Sequence, residues 1–248
     1  MSASCLTAAL VAIVVGLTAF TAHAVTYYVQ PGSYSADGII WIPASHPLQT
    51  AINESAMGDT ILVDMGIYDP ITTSNKCITI RGIFGAGPTI INGGGTQRCA
   101  TLGNGNYGQH STVLTGFTLR NGRAGLIVNF AAGGGVLNGT LNDCVLTGNT
   151  ASLLGIACGG GAAFSILKNC ILRGNTVSST GQGLGGGSAS GGGAYDCILS
   201  GCTLTGNTAS YSANDDYGGA SGGGAASSIL FNCTVAENKV MAWPKATT

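Results

Sequence analysis

The hydrophobic and polar positions of this chain fall into a phrase that is written four times. It reads GGGVLNGTLNDCVLTGNTAS from Gly133, GGGAAFSILKNCILRGNTVS from Gly159, GGGAYDCILSGCTLTGNTAS from Gly191 and GGGAASSILFNCTVAENKV from Gly222. Leu141, Leu167, Leu199 and Leu230 stand eight residues into their phrases, and Cys144, Cys170, Cys202 and Cys233 stand eleven in. Leu146, Leu172, Leu204 and Val235 follow at thirteen, then Asn149, Asn175, Asn207 and Asn238 at sixteen. This inner spacing never changes, while the phrases begin 26, 32 and 31 residues apart. Apolar side chains two apart, as at Cys144 and Leu146, alternate as a strand does. Each short run closes on a turn pair such as Gly-Asn. Short strands, tight turns and a fixed inner spacing predict an all-β fold, a parallel β-solenoid with one phrase per coil, stacked at about 4.8 Å.

In such a stack equivalent residues form ladders. Asparagine at the turn tolerates left-handed backbone and bonds along a column of its own kind. The glycine triplet allows sharp turns and close approach of backbones. The four cysteines are expected to form an inward ladder of small buried side chains, although stacked neighbours are near enough for pairing. The connections of variable length, 150–158, 176–190 and 208–221, leave each coil at one corner. They are expected to be loops on one face, where solenoids often bind.

Upstream, LTGFTLRNG, GDTILVDMGIYD and KCITIRGIFGAGPTIINGGG read as looser coils with glycine turns. Residues 45–58 differ. Ser45 can cap a helix, Pro47 suits its first turn, and Leu48, Ala51, Ile52 and Ala56 share one face. A short helix there would cover the open N-terminal end of the solenoid. The tail 241–248 offers no such cover, so either the last coil keeps an exposed edge, which invites aggregation, or the chain is expected to continue or to meet a docking partner there. The solenoid is assigned to 25–240, with its four regular coils in 133–240.

Leu6 to Phe20 is an apolar run, and Ala22-His23-Ala24 forms an A-x-A signal before Val25. The pattern predicts a signal peptide over 1–24 and a secreted or cell-surface product. The n-region carries no Lys or Arg, and no second run long enough to span a membrane follows. Charged residues are 8% of the chain and the formal net charge is −1. No basic patch exists to neutralise phosphates, which argues against nucleic acid as a partner. Eight cysteines follow Val25 without a C-x-x-C pair, so neither a zinc site nor a thioredoxin-type centre is indicated. Cys77 and Cys99 fall outside the ladder phase and are the pair expected to form a disulfide.

Together these features resemble the right-handed parallel β-helix, or pectin-lyase-like, group. TYYVQPGSYSADG followed by HPLQTAINESAMGDTILVDMGIYD is similar to the entry segment of exported members. The phrases also resemble repeats of polymorphic outer membrane proteins, which are surface adhesins with GGA[ILV] and FxxN motifs. The matching residues are Gly160-Gly161-Ala162, Gly192-Gly193-Ala194 and Gly223-Gly224-Ala225, then Leu172-x-x-Asn175, Leu204-x-x-Asn207 and Val235-x-x-Asn238, with Leu or Val in place of Phe. The resemblance implies a bacterial, exported scaffold, and its enzymes imply polysaccharide cleavage as the alternative.

Cleavage of that kind needs carboxylates converging on one groove. Asp143 and Asp196 occupy different places in the phrase, and Asp37, Asp59, Asp64 and Asp69 cluster near the N-terminal cap. Arg120, Arg123 and Arg173 lack partner groups for catalysis. No catalytic residue, metal site or cofactor is assigned. Asp215 and Asp216, flanked by Tyr211 and Tyr217, are the candidate contact site, for a sugar or a weakly held calcium ion. The expected function is a non-catalytic, adhesin-like module that binds glycan or a surface protein. A structural stalk, or a piece of a longer surface protein, is a further alternative.

Overall fold

The four phrases fold as four coils, and the looser segments before them add more. The structure, a computed structural model, describes residues 23–104, 106–124, 130–181, 187–213 and 218–243. It is an all-β parallel β-helix in which each regular coil gives one strand to each of three main sheets, of ten, seven and six strands. The ten-stranded sheet holds Thr60–Val63, Thr79–Gly82, Val113–Thr115, Thr140–Asn142, Ile166–Lys168, Ile198–Ser200 and Ile229–Phe231 in parallel. Its far end is antiparallel, where Thr26–Gln30 pairs with Ser33–Ser35 and that with Ile42–Pro43.

Register keeps like on like. Leu114, Leu141, Leu167, Leu199 and Leu230 stack in one column, and Leu119, Leu146, Leu172, Leu204 and Val235 in another. The leucines of coils before the last are fully buried. A beat of five residues underlies this. Gly133, Asn138, Asp143 and Gly148 all have positive φ. So do Gly159, Phe164, Asn169 and Gly174, and likewise Gly191, Asp196, Gly201 and Gly206. Each left-handed residue turns the chain at a corner, which is why Gly, Asn and Asp prevail there. The ladder asparagines are therefore not the left-handed residues. That geometry falls one position earlier, and the asparagine side chain points inward.

Where they are described, the variable connections are largely strands rather than loops. Phe130–Ala132, Ile156–Cys158, Ser188–Ser190 and Gly219–Ser221 form a fourth parallel sheet, and Thr150–Leu153, Thr176–Gly181, Thr208–Ala213 and Lys239–Trp243 a fifth. They enclose a second small core of Ala131, Ala151, Ala157, Val177, Ala189, Ala209 and Tyr211. The described parts of each connection stack on the next, so the corner carries a two-sheet fin.

Helix α1 spans Pro47–Glu54 and buries Pro47, Leu48, Ala51 and Ile52. It packs against Thr26–Gln30, Ser33–Ser35 and Ile71–Thr72. His46, not Ser45, takes the N-cap position, without a side-chain cap bond. Ala56 lies beyond the helix and is exposed. Lys76 Nζ donates to the carbonyls of Ile52, Asn53 and Ser55 at 2.7, 2.9 and 2.7 Å, which satisfies the helix C-terminus with a cation. Among the described residues no helix is long and apolar enough to cross a membrane. The apolar run Leu6 to Phe20 lies outside them.

The thiols are interior groups. Cys99, Cys144, Cys158, Cys170, Cys197 and Cys202 are free and buried, and Cys233 is free and half-buried. The expected Cys77–Cys99 bridge is not made. The Cys99 thiol instead donates to the Arg120 carbonyl at 3.2 Å and reaches Asn149 Oδ1 at 3.6 Å. Burial pushes Cys99 and Cys197 up to about 12 from an ordinary 9.0. Cys170 and Cys202 are raised further, chiefly because stacked thiols bond to one another. A thiol that ionises later in the folded chain than in the unfolded one contributes stability that is complete below pH 9 and lost as pH rises toward 12. Folding free energy measured in urea is therefore expected to fall above about pH 9, by about 1.4 kcal/mol per pH unit for Cys99 alone. A flat profile to pH 11 would contradict the interior placement.

Candidate binding groove

The outer face of the ten-stranded sheet carries a second kind of ladder. Thr79, Val113, Thr140, Ile166, Ile198 and Ile229 stack in register and face outward. Ile198 and Ile229 are 43% and 55% exposed. Beside this column run Arg81, Thr115, Asn142, Lys168, Ser200 and Phe231. The face forms a cleft of about 670 Å³ between Gly58, Cys77, Thr79, His110, Thr140 and Lys168. A neighbouring cleft of about 520 Å³ is lined by Tyr107, His110, Phe164, Asp196, Ser227 and Ile229. His110 borders both, so the two form one groove around it.

An aromatic stack makes one wall. The rings of Tyr107 and Phe164 lie 4.3 Å apart at 25°, with Phe130 and Tyr195 edge-on or tilted around them. Tyr107 remains 45% exposed. The segment that carries it is pinned by Asn138, which is fully buried and left-handed. Asn138 Nδ2 donates to the Asn106 carbonyl at 2.7 Å, and the Gly139 N–H to the Gln109 carbonyl at 2.6 Å. Gln109 Oε1 accepts the Asn104 N–H at 2.7 Å. Arg98, half-buried beside it, donates to the carbonyls of Gly133 and Ala132 at 2.8 Å each and to Thr101 Oγ1 at 3.0 Å. Burial lowers it to about 10. These bonds to neutral acceptors give Arg98 a structural task.

His110 has a buried Nδ1 without a partner. Loss of water lowers its pKa, against a backbone bond with Gly139 that raises it. The lowered value favours the neutral ring at pH 7. Asp143 and Asp196 stand at different corners of their coils, φ 52° and 49°, and do not converge. Arg120 and Arg173 lie on the outer face of the seven-stranded sheet with Thr147 between them, away from this groove. Among the described residues no three His, Cys, Asp or Glu side chains gather as a metal site.

The residues singled out in the sequence fare differently. Tyr211 is buried at 3% exposure inside the fin and pairs in register with Ser179, so its ring cannot stack on a sugar at the surface. Asp215, Asp216 and Tyr217 lie outside the described residues. The asparagine and cysteine ladders are interior. Tyr107, Phe164 and Asn138 carry no motif of their own in the sequence. The available signal was the position of Phe164 in the phrase, a bulky residue at a corner that other coils fill with Asn, Asp or Ser.

The fold and groove define an all-β parallel β-helix with an open, aromatic-walled face. Comparison with known proteins finds no matching family model, no matching curated protein and no matching solved structure.

Proposed function

We propose that this chain is a non-catalytic, exported, adhesin-like binding module whose ligand is a glycan. The observation that carries the reading is the half-exposed Tyr107 stacked on Phe164 at the edge of a cleft with Ile198 and Ile229, which continues past His110 onto Thr79, Thr140 and Asn142. An aromatic face with a few polar groups suits sugar rings, which are apolar on one face and hydroxylated at the rim. The ladder repeats β-branched Thr, Val and Ile side chains every 4.8 Å or so, a stiff surface for an extended polymer. Export is supported by the leader pattern before Val25. We place the ligand in this groove rather than on the variable connections, whose described residues build the fin.

The exported protein is expected to be retained on one or more of a panel of neutral and acidic polysaccharides without releasing reducing ends or unsaturated products. Tyr107→Ala is expected to weaken that retention at least about tenfold, or ~1.4 kcal/mol, with the fold retained and only a small loss of thermal stability from the broken ring stack. Product release would favour the polysaccharide-cleaving alternative. Retention untouched by Tyr107→Ala would remove the groove from the proposal. A second reading, contact with a protein, is favoured by the hairpin tip, where Ile39, Ile40, Trp41 and Ile42 are 82%, 66%, 41% and 45% exposed. Asp37 holds this tip by accepting the N–H groups of Ile39 and Ile40. Substitutions at the tip that abolish binding to a surface protein, with glycan retention intact, would support it.

A further inference from the structure

The backbone nitrogen of Val25 donates to Asp59 Oδ1 at 2.8 Å. Asp59 is 3% exposed, a rare place for a carboxylate. Its other oxygen accepts the Ala56 N–H at 2.7 Å, just past helix α1. The Val25 carbonyl accepts the Thr60 N–H at 3.0 Å, so Val25 is fixed from both sides. Immediately before it, His23 and Ala24 are exposed and belong to no strand. Among the described residues Val25 is thus the first with a backbone bond into a strand or side chain of the solenoid, and the exposed Ala24 before it leaves that peptide bond open to a protease.

We propose that Ala24–Val25 is the processing junction and that the α-ammonium freed there becomes the ionic partner of Asp59, locking the capped end of the solenoid after export. This rests on the leader reading used above and does not depend on the groove. In the step itself, water supplied to an export peptidase adds across the Ala24 carbonyl carbon–Val25 nitrogen bond. That bond breaks, the carboxylate leaves on residues 1–24, and the amine left on Val25 takes up a proton. An amide donor at 2.8 Å becomes a cation at the same place. Charge-assisted bonds are about twice as strong as neutral ones, and a buried carboxylate gains most from a partner of opposite charge.

Other groups around the pair do not take that role. Tyr27 feels Asp59 and Glu54 as nearby negative charges. Glu54 accepts from the Tyr34 hydroxyl. Lys76 is committed to the carbonyls at the end of α1. An α-amino group has an ordinary pKa of about 7.7–8.0, and pairing with a carboxylate raises it. The stability from the pair is therefore complete below about pH 8 and is lost as pH rises through the raised value.

The test uses the full chain expressed in an exporting host, with the processed protein recovered. N-terminal sequencing is expected to begin Val-Thr-Tyr-Tyr. A second chain carries Gly-Ser inserted between Ala24 and Val25, so that Val25 keeps a neutral amide. The processed protein should melt several degrees above the insertion variant at pH 7, and the difference should vanish above about pH 10. In an Asp59→Asn background the two forms should melt together. If that background does not fold, the pH arm decides. A different N-terminus, or equal melting of the two forms at pH 7, overturns the proposal. Loss of glycan retention with this pair intact would strike the functional reading alone.

Discussion

Asn175→Leu is expected to cost about 3–6 kcal/mol of folding stability, enough to leave little folded protein at 37 °C. Asn175 is fully buried in the middle of the ladder. Its Oδ1 accepts both the backbone N–H and the Nδ2 of Asn149, at 3.0 Å each. Its Nδ2 donates to the Leu146 carbonyl and to Asn207 Oδ1, at 2.9 Å each. Leucine is of similar size, so the main loss is polar. Two buried donors on Asn149 and one acceptor on Leu146 lose their partners, at about 1–3 kcal/mol for each group left unsatisfied. Asn169→Gly in the same coil is the control. Asn169 is exposed and left-handed at φ 53°, a conformation glycine adopts freely, and the change should stay within about 0.5 kcal/mol. Urea unfolding of both variants checks the contrast. Equal, small effects would mean that the ladder is a crowd of asparagines rather than a connected chain.

That ladder also marks how far the sequence could be read. The stack of asparagines was legible because one residue type recurred at one offset, and hydrogen bonding of like to like needs in-register parallel strands. The beat of five was present in the same offsets, eight and thirteen, eleven and sixteen. It was hidden because Gly, Asn, Asp, Phe and Ser all fill the left-handed corner, so no single letter recurs. The ladder's start was hidden too. Gly122 stands where an asparagine would, and its N–H and the Cys99 thiol meet Asn149 Oδ1 instead. Cys99 therefore looked out of phase and available for a bridge, when it completes the first rung. The fin escaped notice for a different reason. Its inward residues are Ala151, Ala157, Ala189 and Ala209, which differ too little from the outward Ser and Thr to give a hydrophobic alternation. Tyr211 is the one large side chain in that small core, and out of context it reads as a surface aromatic. The groove was invisible because its wall joins Tyr107, Phe130, Phe164 and Tyr195 from separate coils, and only stacking brings them together.

Gly160→Ala is expected to be as damaging as the loss of a ladder asparagine, at about 3 kcal/mol or more, with poor soluble yield. A Cβ at Gly160 would stand 2.4 Å from the Gly192 carbonyl oxygen and 2.5 Å from that of Thr176. Both neighbours are backbone atoms tied into the stack, so neither can swing aside as a long side chain would. The same clash recurs up the column, at Gly134 against Gly160 and at Gly192 against Gly223. A methyl group at one level must push two coils apart. Other glycines are needed for a different reason or for none. Gly174 has φ +61° with open space around its missing Cβ, so Gly174→Ala meets only backbone strain, about 1–2 kcal/mol. Gly87 has neither a positive φ nor a neighbour within 4 Å, and Gly87→Ala should be neutral or slightly stabilising. The ordering of the three, read from urea midpoints at constant slope, separates close approach from conformational freedom as the reason for glycine. If Gly160→Ala cost no more than Gly174→Ala, the coils would not approach as closely at this corner as the stacked carbonyls require. The second glycine of each phrase would then be a turn residue rather than a spacer.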